Sequence, residues 1–161
     1  MDKCCKAAAL YVASLKAMAI IHQHNHWVVK GKEFYGKHLL FERIYDSVLE
    51  NLDLAAEKFI GTFGDECLDY NLQSDFLSKI LNKYKNLKES PVEMSLAVER
   101  DFIKYSKHTY DCFETEGKLS LGIDDMIMSI ASDREEAVYL LQQSLEGKVS
   151  LEKEEEIPEV D

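Results

Sequence analysis

The sequence predicts an all-α protein: a bundle of four long helices with a short extra helix in the long crossover between the second and third. Three observations lead there. Apolar residues recur at spacings of three and four through most of the 161 residues. Only 7 Gly and 2 Pro interrupt the chain while 30% of its residues are charged, a profile of helices rather than of turn-rich sheet. A Ser-Pro-Val-Glu run at 90–93 marks a helix start, with a serine cap, proline at the first helical position and glutamate three residues beyond the cap. The length suits one domain that buries its own core.

Residues 4–30 form the first expected helix, with Leu15, Ala19, His22 and His26 on one stripe and Gly31 as its end. The second, residues 36–60, carries Phe41, Tyr45, Val48, Leu52, Ala55 and Phe59 as its core seam. Gly61 and Gly64 then supply residues that tolerate a left-handed stop. The pattern is mixed from 65 to 86, with a short helix over 74–84. The third long helix starts at the Ser90 cap, buries Val98, Phe102, Tyr105, Thr109 and Cys112, and closes at Gly117. The fourth, 120–145, uses Ile123, Ile127, Ile130, Ala137 and Leu141. The helical domain is thus expected over 1–147, and residues 148–161, rich in Glu and poor in apolar residues, are expected as a flexible acidic tail. Short links within each outer pair of helices and a long one between the middle pair describe the ferritin-like topology.

Composition narrows the setting. No unbroken run of about 18 apolar residues is present, so no membrane span is expected. The N-terminal Met-Asp-Lys-Cys-Cys-Lys has no apolar signal segment, which makes a cytoplasmic location the expectation. The four cysteines contain no C-x-x-C pair, which argues against a zinc knuckle or a thioredoxin-type motif. Cys4 and Cys5 are expected as reduced thiols, with metal binding or intermolecular disulfides as the alternatives, and Cys112 as a small core residue.

His38 and Glu42 stand four residues apart, as do Asp53 and Glu57, so each pair lies on one helix face. From Glu42 to Asp53 is eleven residues, close to three turns, so the pairs share that face but sit about 16 Å apart along the axis. A metal ion takes its ligands at about 2 Å, so the two pairs cannot complete one site within a chain. Two copies of this helix packed antiparallel about a two-fold axis would bring His38 and Glu42 of one to Asp53 and Glu57 of the other, twice per dimer. His26, ending the preceding helix, reaches the same place. Imidazoles with carboxylates are the ligand chemistry of non-haem iron. Any one such pair is ordinary solvated helix surface; the set of five at this spacing carries the reading.

The run His26-Trp27, Gly31, Phe34, His38, Glu42, Asp53 and Glu57 resembles the Dps proteins, the dodecameric mini-ferritins, and Glu135 to Leu141 with Tyr139 resembles their last helix. The resemblance covers about residues 8–146. Regular ferritins match less well, because their intrachain di-iron site uses Glu-x-x-His, which this chain lacks. The resemblance implies a ferroxidase that oxidises Fe(II), usually with hydrogen peroxide, and stores ferric mineral in a hollow dodecamer, protecting against oxidative damage. It implies catalytic and iron-binding roles for His26, His38 and Glu42 from one subunit and Asp53 and Glu57 from its mate. The family usually has aspartate where this chain has Glu42; the ligand type survives with one more methylene.

Trp27 is read as a packing residue beside the site. His22 is read as a core or interface histidine, with a supplementary ligand role as the alternative, and His108 as solvated surface. Asp124 and Asp125 suit a helix N-terminus by the dipole alone, and the resemblance places Asp125, and less closely Asp133, on a helix whose aspartates line iron pores. Although the family is known for DNA binding, a net charge of −11 and an N-terminus with only Lys3 and Lys6 argue against it here. A non-enzymatic alternative remains: a metal-binding cage or scaffold whose interface holds structural ions such as zinc.

Overall fold

The computed structural model describes residues 2–145, so the expected acidic tail lies outside the described residues. Helix α1 spans Lys3–Val28, α2 Phe34–Phe63, α3 Tyr70–Tyr84, α4 Pro91–Thr115 and α5 Leu121–Gln143, with a 3-10 turn at Asp65–Leu68. Helix α1 packs on α2 and α4, and α5 packs on both α4 and α2, which closes a four-helix bundle; α3 lies against α1 within the crossover. His22 meets Ser95 and Glu99 while Tyr11 meets Phe102, so α1 and α4 run antiparallel.

Two of the starts show their local cause plainly. The Asp2 carboxylate accepts from the Cys4 N–H at 3.0 Å and begins α1. At α4 the expected capping box is complete: the Glu93 N–H donates to Ser90 Oγ at 3.3 Å, and the Ser90 N–H donates to Glu93 Oε2 at 2.9 Å. Helix α2 runs through Gly61, correcting the expected stop there, and ends at Gly64, whose φ of +91° favours glycine.

Two further expectations are corrected by packing. In α2 the buried stripe is Phe41, Ile44, Val48, Asn51, Ala55 and Phe59, with Tyr45 and Leu52 at its half-buried edge. Asn51 holds its core position because its amide donates to Asp133 Oδ2 at 2.8 Å. Helix α1 is buried nearly all round rather than along one stripe, from Ala7 through Leu15 without a break. By length and composition it could cross a membrane, with a mean hydropathy of 1.6 over its most apolar window, yet 72% of that window is buried in the bundle. It is the central core helix.

The cysteine expectation is also corrected. Cys5 and Cys67 are bonded, tying the first turn of α1 to the 3-10 turn after α2. Cys4 and Cys112 are free; Cys4 is fully buried and Cys112 half-buried.

The core is divided. A large apolar cluster built on α1, α2, α4 and α5 contains Tyr11, Val48, Phe59, Phe102 and Ile130. A smaller one, containing Val29, Phe41, Ile44, Leu96 and Leu141, fills the end where α1 gives way to α2. Between them in sequence come His22 on α1, Ser47 on α2 and Arg134 on α5, and Glu99 follows the first residue of the larger cluster on α4, Val98. Glu99 Oε1 accepts from Arg134 Nη1 at 3.1 Å and pairs with His22 Nε2 at 2.8 Å, while Arg134 Nη2 also donates to Ser47. A charged layer therefore crosses the bundle.

Candidate metal half-site

The α1–α2 connection brings two of the five expected ligands together. Gly31, at φ +97°, lets the chain reverse between the helices. His26 in the last turn of α1 and His38 in α2 then stack face to face, ring centroids 3.7 Å apart. Each ring nitrogen Nδ1 meets the other residue's backbone carbonyl: His26 Nδ1 to His38 O at 2.8 Å and His38 Nδ1 to His26 O at 2.9 Å. A carbonyl only accepts, so Nδ1 of both rings must donate, and the neutral rings carry their lone pairs on Nε2. Metal-binding histidines are fixed in this manner, by a bond from the nitrogen that does not ligate. Tyr45 packs its edge on His26 and Phe34 packs on His38.

Glu42 stands one turn beyond His38, exposed. Its carboxylate reaches the neighbourhood of Tyr45: partial desolvation first, then Asp46 and Glu42, push the tyrosine hydroxyl above its usual range. Asp53 and Glu57 are exposed farther along α2. At 3.6 residues per turn, His38, Glu42, Asp53 and Glu57 fall within about 100° of one another around the helix, opposite the buried stripe. Among the described residues no three His, Cys, Asp or Glu side chains form a group that could hold a metal ion within one chain. The structure brings His26 and His38 together and leaves Asp53 and Glu57 apart from them.

Apolar residues share this open face. Tyr35, Leu49 and Ile60 lie in the same angular sector of α2 as the carboxylates, exposed by 71%, 46% and 44%, and Ile20 and Trp27 are exposed on α1. Trp27 is 65% exposed in the single chain, so it is not part of the chain's own core. Exposed apolar side chains sharing one face are a feature of interaction surfaces.

Other candidates resolve differently. Both His22 nitrogens are occupied, by Ser95 Oγ at 2.9 Å and Glu99 Oε1 at 2.8 Å, which makes it a core histidine with no lone pair to offer a metal. His108 is exposed. Asp125 is exposed in the first turns of α5, whereas Asp133 is engaged by Asn51. Sequence reasoning missed Glu99 and Arg134. The available signal was register: Arg134 continues Ile127 and Ile130 and precedes Ala137 and Leu141 at spacings of three and four.

No protein-family model and no curated protein sequence matches this chain. Solved structures do. The chain is similar to Dps from Thermosynechococcus elongatus, with a TM-score of 0.75 at 19% identity over 91% of this chain and 92% of that one. It is also similar to an archaeal Dps homologue from Halobacterium salinarum, with a TM-score of 0.70 at 16% identity over 94% and 83%. Dps from Microbacterium arborescens in its high-iron form gives 0.66 at 14% identity over 89% and 95%. At such identities the likeness establishes a Dps-like, ferritin-like all-α fold.

Proposed function

We propose that this chain is a Dps-like ferroxidase and iron-storage protein that oxidises Fe(II), with hydrogen peroxide or oxygen as the acceptor, at sites shared between two copies. The observation that carries the reading is the reciprocal lock of His26 and His38, which makes Nε2 the lone-pair nitrogen of each neutral ring, with Glu42 one turn beyond His38. Asp53 and Glu57 supply the remaining ligands from the partner copy. When two α2 helices pack antiparallel, the register that sets Glu42 against Asp53 also sets His38 against Glu57, because both pairs have the same four-residue spacing. That register sets Tyr35 against Ile60 as well, covering exposed apolar surface on both copies.

Iron is the substrate here. Two Fe(II) ions each give one electron to hydrogen peroxide, the O–O bond breaks, and two hydroxides form as both ions become Fe(III). The carboxylates balance the growing cation charge while the histidines stay neutral donors. Glu42, a methylene longer than the family's usual aspartate, moves its oxygens outward along α2 without changing the ligand type.

The proposal extends to a hollow dodecamer holding ferric mineral in the cytoplasm. At −11 per chain it would repel duplex DNA. Aerobic titration of the protein with Fe(II) and peroxide tests the reading: rapid loss of Fe(II) with about one peroxide consumed per two iron ions is expected. Metal binding without accelerated oxidation would overturn it in favour of a cage with structural ions.

A further inference from the structure

All four cysteines, distant in sequence at 4, 5, 67 and 112, meet at one end of the bundle as two pairs. The pairs differ in access. Cys4 is 0% exposed, and burial first, then the neighbouring Cys112, pushes its thiol up to about 11. A thiol held protonated there is a poor nucleophile at neutral pH. The Cys5–Cys67 bond instead forms part of the wall of a surface pocket of about 420 Å3, completed by Asp2, Phe63, Glu66 and Lys118. That volume lies in the range of small-ligand sites. Both cysteines line the pocket, and Cys5 is half-buried whereas Cys67 is only 2% exposed, which makes Cys5 the more accessible residue of the pair.

We propose that Cys5 and Cys67 form a reversible dithiol–disulfide couple addressed through this pocket, reduced by a small-molecule thiol at Cys5 and re-formed by hydrogen peroxide. In reduction the incoming thiolate bonds to the Cys5 sulfur, the Cys5–Cys67 bond breaks, and Cys67 leaves as a thiolate that takes a proton from water. A second thiol then attacks the adduct, leaving as the oxidised small-molecule disulfide and freeing Cys5. In oxidation the Cys5 thiolate attacks peroxide, hydroxide leaves, and the resulting sulfenic acid condenses with Cys67, releasing water. The bond closes the open end of the α1–α2 hairpin, and the covalent ring it makes encloses His26, His38, Glu42, Asp53 and Glu57. The couple thus fastens or frees the hairpin, and it stands whether or not those residues bind iron.

The test treats the full chain with peroxide, then with millimolar reduced glutathione under native conditions, and counts alkylatable thiols by mass spectrometry after denaturation. Two thiols per chain are expected after peroxide and four after glutathione, with the Cys5–Cys67 linkage found in the oxidised form. Cys67→Ser incubated with oxidised glutathione should carry the adduct on Cys5. Should that variant fail to fold, acid-quenched early samples of the parent protein give the same reading, with the transient adduct on Cys5. Four thiols after peroxide, a linkage that resists native glutathione, or an adduct confined to Cys4, Cys67 or Cys112 would each overturn the proposal.

Discussion

At Arg134 a full positive charge occupies a core position, 1% exposed, between Ile130 and Ala137 on α5. It persists there because Glu99 and Ser47 accept its hydrogen bonds, and His22 pairs with the same Glu99 oxygen, Oε1. Removing one partner strands the other. Arg134→Ala should destabilise the fold by about 3 kcal/mol, measured as a lower midpoint of urea unfolding, by leaving Glu99 uncompensated. Replacing Glu99 and Arg134 together by apolar residues should recover most of that loss; an additive result would mean that the two do not act as a pair. These residues escaped the sequence reading because a charge is ordinarily assigned to solvent. The juxtaposition of His26 and His38 was legible, because His26 ends the helix that precedes the one bearing His38. Their mutual carbonyl lock was not legible, because it depends on how closely the α1–α2 turn brings the two rings.

The helices were legible where their ends carry chemistry. The Ser90 capping box and the Gly117 stop, at φ +67°, stand where the sequence put them. Helix α2 was less legible at its edges, because apolarity favours Leu52 over Asn51 and only the contact with Asp133 shows why the amide is inside. The α4 cap yields a pH-dependent prediction. The Glu93 carboxyl is held below its usual range by the Ser90 hydroxyl first and then by the Ser90 backbone N–H. A carboxyl lowered in the folded state adds stability that is present above its unfolded pKa of about 4.3 and fades as pH falls through the folded value. Ser90→Ala should therefore cost about 1 kcal/mol at neutral pH, and the gap to the parent should narrow below about pH 4. Unfolding curves at both pH values check this, and a gap that does not narrow would separate the cap's worth from the carboxylate.

For the whole molecule, sequence and structure agree on an all-α bundle and differ on the cysteines, because pairing across 62 residues is set by tertiary contact and has no local signature. The open face of α2 joins the remaining threads, since it carries the two halves of the proposed metal site and the exposed Tyr35, Leu49 and Ile60. An isolated chain would leave both features unused. Light scattering at micromolar concentration should report about twelve times the 18.5 kDa chain, and a monomeric mass would contradict the cage.

The central claim is that each iron site draws on two chains, and mixing two inactive variants tests it most directly. His38→Ala and Asp53→Ala should each abolish peroxide-driven Fe(II) oxidation, because each removes a ligand from both sites of a symmetric dimer. In a mixed dimer both defects fall in one site and the other is complete. Equal amounts refolded together should therefore regain about a quarter of the parent rate, half the dimers being mixed with one of two sites intact. No recovery above either variant alone, with mixed assembly established by mass spectrometry, would contradict the shared site.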